Sequence, residues 1–227
     1  MAGFGSTQTL IGLDALASAL FLLVSLAIVA TRQMLATLRL FVIESLLLAV
    51  SATAIGIGTH SIHLLIVAGI VVVTKVIAVP WVLKFTVGGE IYGRREIDQA
   101  LTIPTSLVLS AGLIFFGFFV SERLFFMVSA PEFTLLNLPV GIACLLLGMF
   151  TVTVRREAIA QLVGLLVMEN AVFFAGAAIA SHLPTLAEIA AAVDLPIMTL
   201  VFGLLIRQIH RKLGTTRVGE LSALGER

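Results

Sequence analysis

Ala158 to Ala180 reads AIAQLVGLLVMENAVFFAGAAIA, and this stretch decides the class of fold. Its residues are apolar around the whole helical circumference, interrupted only by Gln161, Glu169 and Asn170. A helix greasy on every side has no face to turn toward water and belongs in a bilayer. About twenty such residues span the hydrocarbon core at ~1.5 Å rise per residue. Glu169 lies eleven residues from either end, so it falls near the midplane. A charge there costs ~2.5–3.5 kcal/mol on insertion scales unless a partner, water or a proton neutralises it. The segment therefore reads as a membrane span that also carries an ionisable group.

The same pattern recurs on both sides of it. Seven stretches are long and apolar enough to cross: 8–30, 38–57, 61–83, 104–121, 134–153, 158–180 and 186–207. Several are short, which leaves six spans plus a re-entrant segment as the alternative. Pro104 suits the first turn of its helix; Pro80, Pro139 and Pro196 fall inside helical stretches and are expected to kink them. Loop charge sets the orientation. Arg32, Arg39, Lys84, Arg94, Arg95, Arg155, Arg156, Arg207, Arg211, Lys212, Arg217 and Arg227 follow odd-numbered spans, whereas Arg123 alone follows an even one. Positive charge stays cytoplasmic, so the N-terminus is expected outside and the C-terminus inside.

The fold class is thus all-α, a polytopic transmembrane helix bundle of about seven spans. It forms a single integral membrane domain: residues 8–103 hold three helices, 104–133 the fourth span and outer loop, 134–213 three more helices, and 214–227 a cytoplasmic tail. Composition agrees, with 59% hydrophobic and 12% charged residues and a mean hydropathy of +1.15. Soluble domains carry about twice that share of charge. A net charge of +1 gives no reason to expect nucleic acid. Met1 to Thr9 contain no Lys or Arg, so the first apolar stretch is expected to be a retained span and not a cleaved leader.

Redox and metal chemistry find little support. Cys144 is the only cysteine, too few for a disulfide or an iron–sulfur cluster, and is expected to fill the core. His60 and His63 share a helix face at a membrane boundary, with His182 and His210 elsewhere. This makes a weak metal site and a poor haem site, so no metal, cofactor or catalytic residue is assigned.

The chemistry then rests on ionisable groups within the spans. Desolvation raises the pKa of a carboxyl and a neighbouring ammonium lowers it, so a carboxyl held between the two can load and release a proton near neutral pH. Glu169, with the Asn170 amide beside it, is the leading candidate for that role. Lys75 lies about nine residues inside the third span, too deep for easy snorkelling, and a carboxylate neighbour would keep it charged. Asp194 lies two residues before Pro196, whose missing donor frees a carbonyl one turn back. Glu44, five residues past Arg39, can reach cytoplasmic water or that arginine; Asp14 and Glu188 lie near outer ends of their spans. These three are candidate points of proton uptake or release. For each group the competing reading is a static hydrogen bond or ion pair that holds helices together.

Ordered pieces of the chain resemble the membrane component E family of hydrogenase-4. They are Thr74-Lys75-Val76 with Val79-Pro80, Arg156 followed by Gly164-Leu165-Leu166-Val167-Met168-Glu169-Asn170, Leu183-Pro184 with Glu188-Ile189, Asp194, His210 to Leu213, Gly214-Thr215 and Leu221-Ser222-Ala223-Leu224. The last three spans are also similar to the small K-type subunit of respiratory complex I, which carries two membrane glutamates. There the first glutamate follows Gly-Leu directly, where this chain has Leu166, with Glu169 about one turn later. The resemblance implies proton transfer (or Na⁺) at Glu169 and Asp194, with Lys75 tuning the nearest carboxylate; in that family the Glu44 position need not be acidic. It further implies a prokaryotic cytoplasmic membrane, antiporter-like neighbouring subunits and a peripheral redox arm. A purely structural scaffold and an independent secondary transporter are the alternatives.

Overall fold

The computed structural model describes residues 2–85, 97–125 and 136–179, together with 201, 203–205 and 208; for 2–7, 125, 178 and 179 it describes the backbone alone. The described residues are helical: α1 Ala2–Ala30, α2 Met34–Gly58, α3 Ile62–Val71, a π-helical segment Val72–Ala78, α4 (79–85), α5 Ile103–Phe125, α6 Asn137–Val154 and α7 Ala158–Ile179. Helix α3, the π segment and α4 run on as one span, so among the described residues six helices are long and apolar enough to cross a membrane. They match the first six expected stretches. The seventh, 186–207, falls almost entirely outside the described residues.

Helix ends depart from expectation where local chemistry overrides hydropathy. Helix α2 begins at Met34, four residues early, and takes Arg39 into its second turn. Pro139 is the third residue of α6, within the first turn, where a missing N–H removes no intrahelical bond. It therefore caps and does not kink. Pro80 acts differently. It cannot donate to a carbonyl one turn back and its ring crowds that carbonyl. The preceding backbone widens, and Val79 N–H bonds Thr74 O, five residues behind. Helix α2 closes with Ser61 N–H on Gly56 O at 2.9 Å and His60 N–H on Ile57 O at 3.3 Å, with His60 in the left-handed region at φ 54°.

Between helices in lipid there is little hydrophobic drive, so close packing of small residues does much of the work. Helices α6 and α7 approach most closely through glycines. A Cβ at Gly141 would meet Ala175 at 2.6 Å, and one at Gly148 or Gly164 would meet Met168 or Val152 at 2.7 Å. Helix α5 leans on α6 where Gly117 faces the Ala143 backbone, and exposes Phe115, Phe116 and Phe119 on its other side. At one end of the bundle Ile28, Met34, Val79, Leu83, Ile97 and Ile159 share a core; at the other, Ile55, Leu64 and Ala177 do. The first end is the one that carries Arg32, Lys84 and Arg155.

That end is stapled by the residues that lead into α5. Residues 97–100 pair with 154–156: Ala100 N–H bonds Val154 O at 3.0 Å and Arg156 N–H bonds Asp98 O at 3.2 Å. Arg155 is 2% exposed, and its Nη2 donates to Ile28 O at 2.7 Å, Val29 O at 3.2 Å and Thr31 O. Ile28 O and Val29 O belong to the last turn of α1 and Thr31 O to the residue just past it, carbonyls left without helical donors. Burial pushes the Arg155 guanidinium down to about 10, against the opposing field of Glu157, so it stays charged at neutral pH.

Candidate functional site

Three ionisable groups reach one depth by three routes. Glu44 is ten residues from the start of α2, Lys75 ten residues before Phe85, and Glu169 eleven from the start of α7. At ~1.5 Å per residue each stands about 15 Å from the basic end of the bundle, halfway through a ~30 Å core. The π segment carries Lys75 inward, where it is 1% exposed and its Nζ stands 3.0 Å from Glu169 Oε1. The Glu169 side chain keeps 28% exposure, which puts it at the rim of the bundle.

Glu44 lies deeper than its spacing from Arg39 suggested. It is fully buried, while Arg39 is exposed. Glu44 Oε1 is hydrogen-bonded to Ser25 Oγ of α1. Asn170, on α7, donates through Nδ2 to Glu44 Oε2 at 3.3 Å and to Ser45 Oγ at 3.0 Å. Asn170 therefore turns inward to Glu44 while its neighbour Glu169 turns to Lys75. Lys75 is also a charge whose field reaches Glu44. Glu169 Oε2, Asn170 Oδ1 and Lys75 Nζ are buried atoms that lack a geometrically sound hydrogen bond among the described residues.

Asp14 belongs to a second cluster, nearer the opposite end. It is 2% exposed; its Oδ1 accepts from Ser51 Oγ at 2.5 Å and from Asn137 Nδ2 at 3.3 Å. Asn137 also donates to Ser51 Oγ at 3.2 Å, and its Oδ1 accepts from Ser18 Oγ at 3.0 Å. Helices α1, α2 and α6 are thus bonded together. Between this cluster and Glu44 lies an apolar layer of Phe21, Leu48, Val140, Cys144 and Phe174, with the Phe21 and Phe174 rings stacked at 4.5 Å.

The sequence brought Lys75 and Glu169 to notice but gave no sign of Ser25, Ser45 or Asn137 as partners. The available signal was hydroxyls and amides inside apolar spans, which rarely go unpaired there. Asp194 and Glu188 lie outside the described residues. No group of three or more His, Cys, Asp or Glu side chains suited to a metal ion occurs among the described residues.

Comparison with known proteins follows the length of the chain. Hydrogenase-4 component E of Escherichia coli (strain K12) is 29% identical over 214 residues, covering 90% of this chain and 94% of that protein. The chain is similar to hydrogenase-4 component E. The Shigella flexneri protein of that name matches to the same degree. An uncharacterized protein of Mycobacterium tuberculosis is 26% identical over 202 residues, with 89% and 91% of the two chains covered. No family model and no solved structure matches. The chain is a multi-pass membrane protein related to a hydrogenase component.

Proposed function

We propose that this chain is a non-redox membrane subunit of a hydrogenase-type assembly akin to complex I, of the hydrogenase-4 component E family, and that it relays protons (or Na⁺) within the membrane plane. Glu169 and Lys75 are the relay groups, and Asp194 is the proposed second carrier. The observation that carries the reading is the Lys75–Glu169 pair, 3.0 Å apart at mid-membrane with its acid at the rim of the bundle. An ionic group is too costly to present to acyl chains, so a neighbouring membrane subunit is the natural cover for Glu169. The apolar layer around Phe21 and Phe174 supports sideways and not vertical movement. Antiporter-like subunits on one side and a peripheral redox arm on the other are the proposed partners, in a prokaryotic cytoplasmic membrane with the N-terminus outside.

The test is Glu169→Gln in the intact assembly, read in inverted membrane vesicles and on native gels. Loss of coupled ion transport with normal assembly is expected. Normal transport with normal assembly removes Glu169 from the path and favours a scaffold. Uptake by vesicles holding the purified chain alone would instead identify an independent transporter.

A further inference from the structure

A cavity between α5 and the start of α6 takes no part in the relay. Its volume is about 440 Å³, and its walls include Phe115, Phe118, Phe119, Ser121 and Glu122 of α5 and Pro139 of α6. That size falls in the ~300–1,000 Å³ range of small-ligand sites. Helix arithmetic places it in the bilayer. Glu122 is nineteen residues past Ile103, where α5 leaves the basic end of the bundle. At ~1.5 Å per residue it stands about 28 Å from that end, close to the opposite membrane surface. Phe115 lies seven residues earlier, about 10 Å deeper. The cavity therefore runs from headgroup level into hydrocarbon. Its lining divides the same way, with phenylalanine at depth and charge at the surface.

The polar groups define what could fit. Ser121 Oγ donates its proton to Phe118 O at 2.7 Å, so it offers the cavity lone pairs only. The Glu122 carboxylate also only accepts. Arg123, next along the helix, lies over the Phe119 ring at 5.9 Å, which holds a cation at the rim. Helical neighbours point about 100° apart, and among the described residues Glu122 and Arg123 form no ion pair with each other or with another side chain. A matching ligand carries an N–H cation for Glu122 and Ser121, an anion close by for Arg123, and an apolar body for the phenylalanines. Phe115 and Phe119 are 75% and 50% exposed, so the site opens sideways to lipid. We propose that this cavity holds the headgroup of a phosphatidylethanolamine. Its ammonium donates to Glu122 and Ser121 Oγ, its phosphate pairs with Arg123, and its first acyl methylenes pass over Phe115. A choline headgroup has no N–H to give, and a glycerol headgroup has no cation, so both leave Glu122 unmatched. The site is independent of the relay and stands or falls without it.

The experiment places the full-length chain in nanodiscs of equal parts phosphatidylethanolamine, phosphatidylcholine and phosphatidylglycerol. Native mass spectrometry after transfer to mild detergent then counts the lipids retained. One phosphatidylethanolamine per chain is expected, favoured at least five-fold over either other lipid. Glu122→Gln should bring that preference below two-fold. Val108→Ala, on an exposed stretch of the same helix outside the cavity, should keep it. Retention of the three lipids in bulk proportion, or an unchanged preference in Glu122→Gln, overturns the proposal. A photoreactive phenylalanine analogue at position 119 reads the occupant in the intact assembly. An adduct with phosphatidylethanolamine is expected there, and an adduct with a neighbouring subunit overturns the proposal.

Discussion

Replacing Lys75 by Met removes the cation and keeps most of the volume. At 3.0 Å and an effective dielectric near 20, the attraction lost is about 5 kcal/mol. One feature reduces the net effect: Glu169 can take up a proton once the ammonium is gone, so the stranded group need not stay charged. Breaking a buried pair on one side costs about 3–5 kcal/mol in general, and protonation of the acid brings the expectation here to about 2–4 kcal/mol. Part of that loss is the stranded acid and not the pair itself. A double-mutant cycle separates the two: Lys75→Met, Glu169→Gln and both together, followed by reversible unfolding of the purified protein in mixed micelles. A coupling energy above about 1.5 kcal/mol is expected, with the double variant more stable than the single losses sum to. A coupling below about 0.5 kcal/mol would mean the two side chains do not share charge at the midplane, and the site built on them would have to be abandoned.

Gly141→Ala places a methyl group 2.6 Å from Ala175 and 2.9 Å from Ala171 O, and should lower stability by about 1–3 kcal/mol in the same unfolding assay. Gly69→Ala meets nothing within 4 Å and serves as the control, neutral or slightly stabilising. Arg155→Met strands the last carbonyls of α1 and should cost about 2–4 kcal/mol, with faster amide hydrogen exchange at 97–100 as the strand-like pairing loosens; unchanged exchange there would show that the guanidinium does not hold that end together.

Span positions were legible because burial in lipid is a composition effect: any run of about twenty apolar residues gives the same signal whatever it packs against. Ends were less so, since Pro139 and Arg39 are ambiguous until the first turn of each helix is fixed. The π segment was harder. Pro80 announced a disturbance, but whether a proline kinks, caps or widens a helix depends on where its neighbours let the backbone go. Glu169 and Lys75 stood out by their cost. Glu44 was misjudged because distance from Arg39 was counted as distance from water, whereas Arg39 lies within α2 and faces outward. Asp14 seemed to mark an outer mouth, but is closed in by Ser51 and Asn137, two residues far from it in sequence and invisible to any local pattern.

The two polar clusters differ in a way that bears on their roles. A static joint between helices should have its polar atoms paired, because in a dry interior an unpaired one costs more than a good bond returns. The Asp14 cluster meets that standard: no side-chain atom of Asp14, Ser18, Ser51 or Asn137 is among the buried unpaired ones. The midplane site does not. Glu169 Oε2, Asn170 Oδ1 and Lys75 Nζ all retain capacity within a few side chains of each other. Each unmet bond there lowers stability, and a scaffold would gain by filling that space with leucine. A group that must exchange partners needs such spare capacity. The closed pairing of Asp14 suits a joint between α1, α2 and α6, and the spare capacity at the midplane supports the relay proposed for its residues.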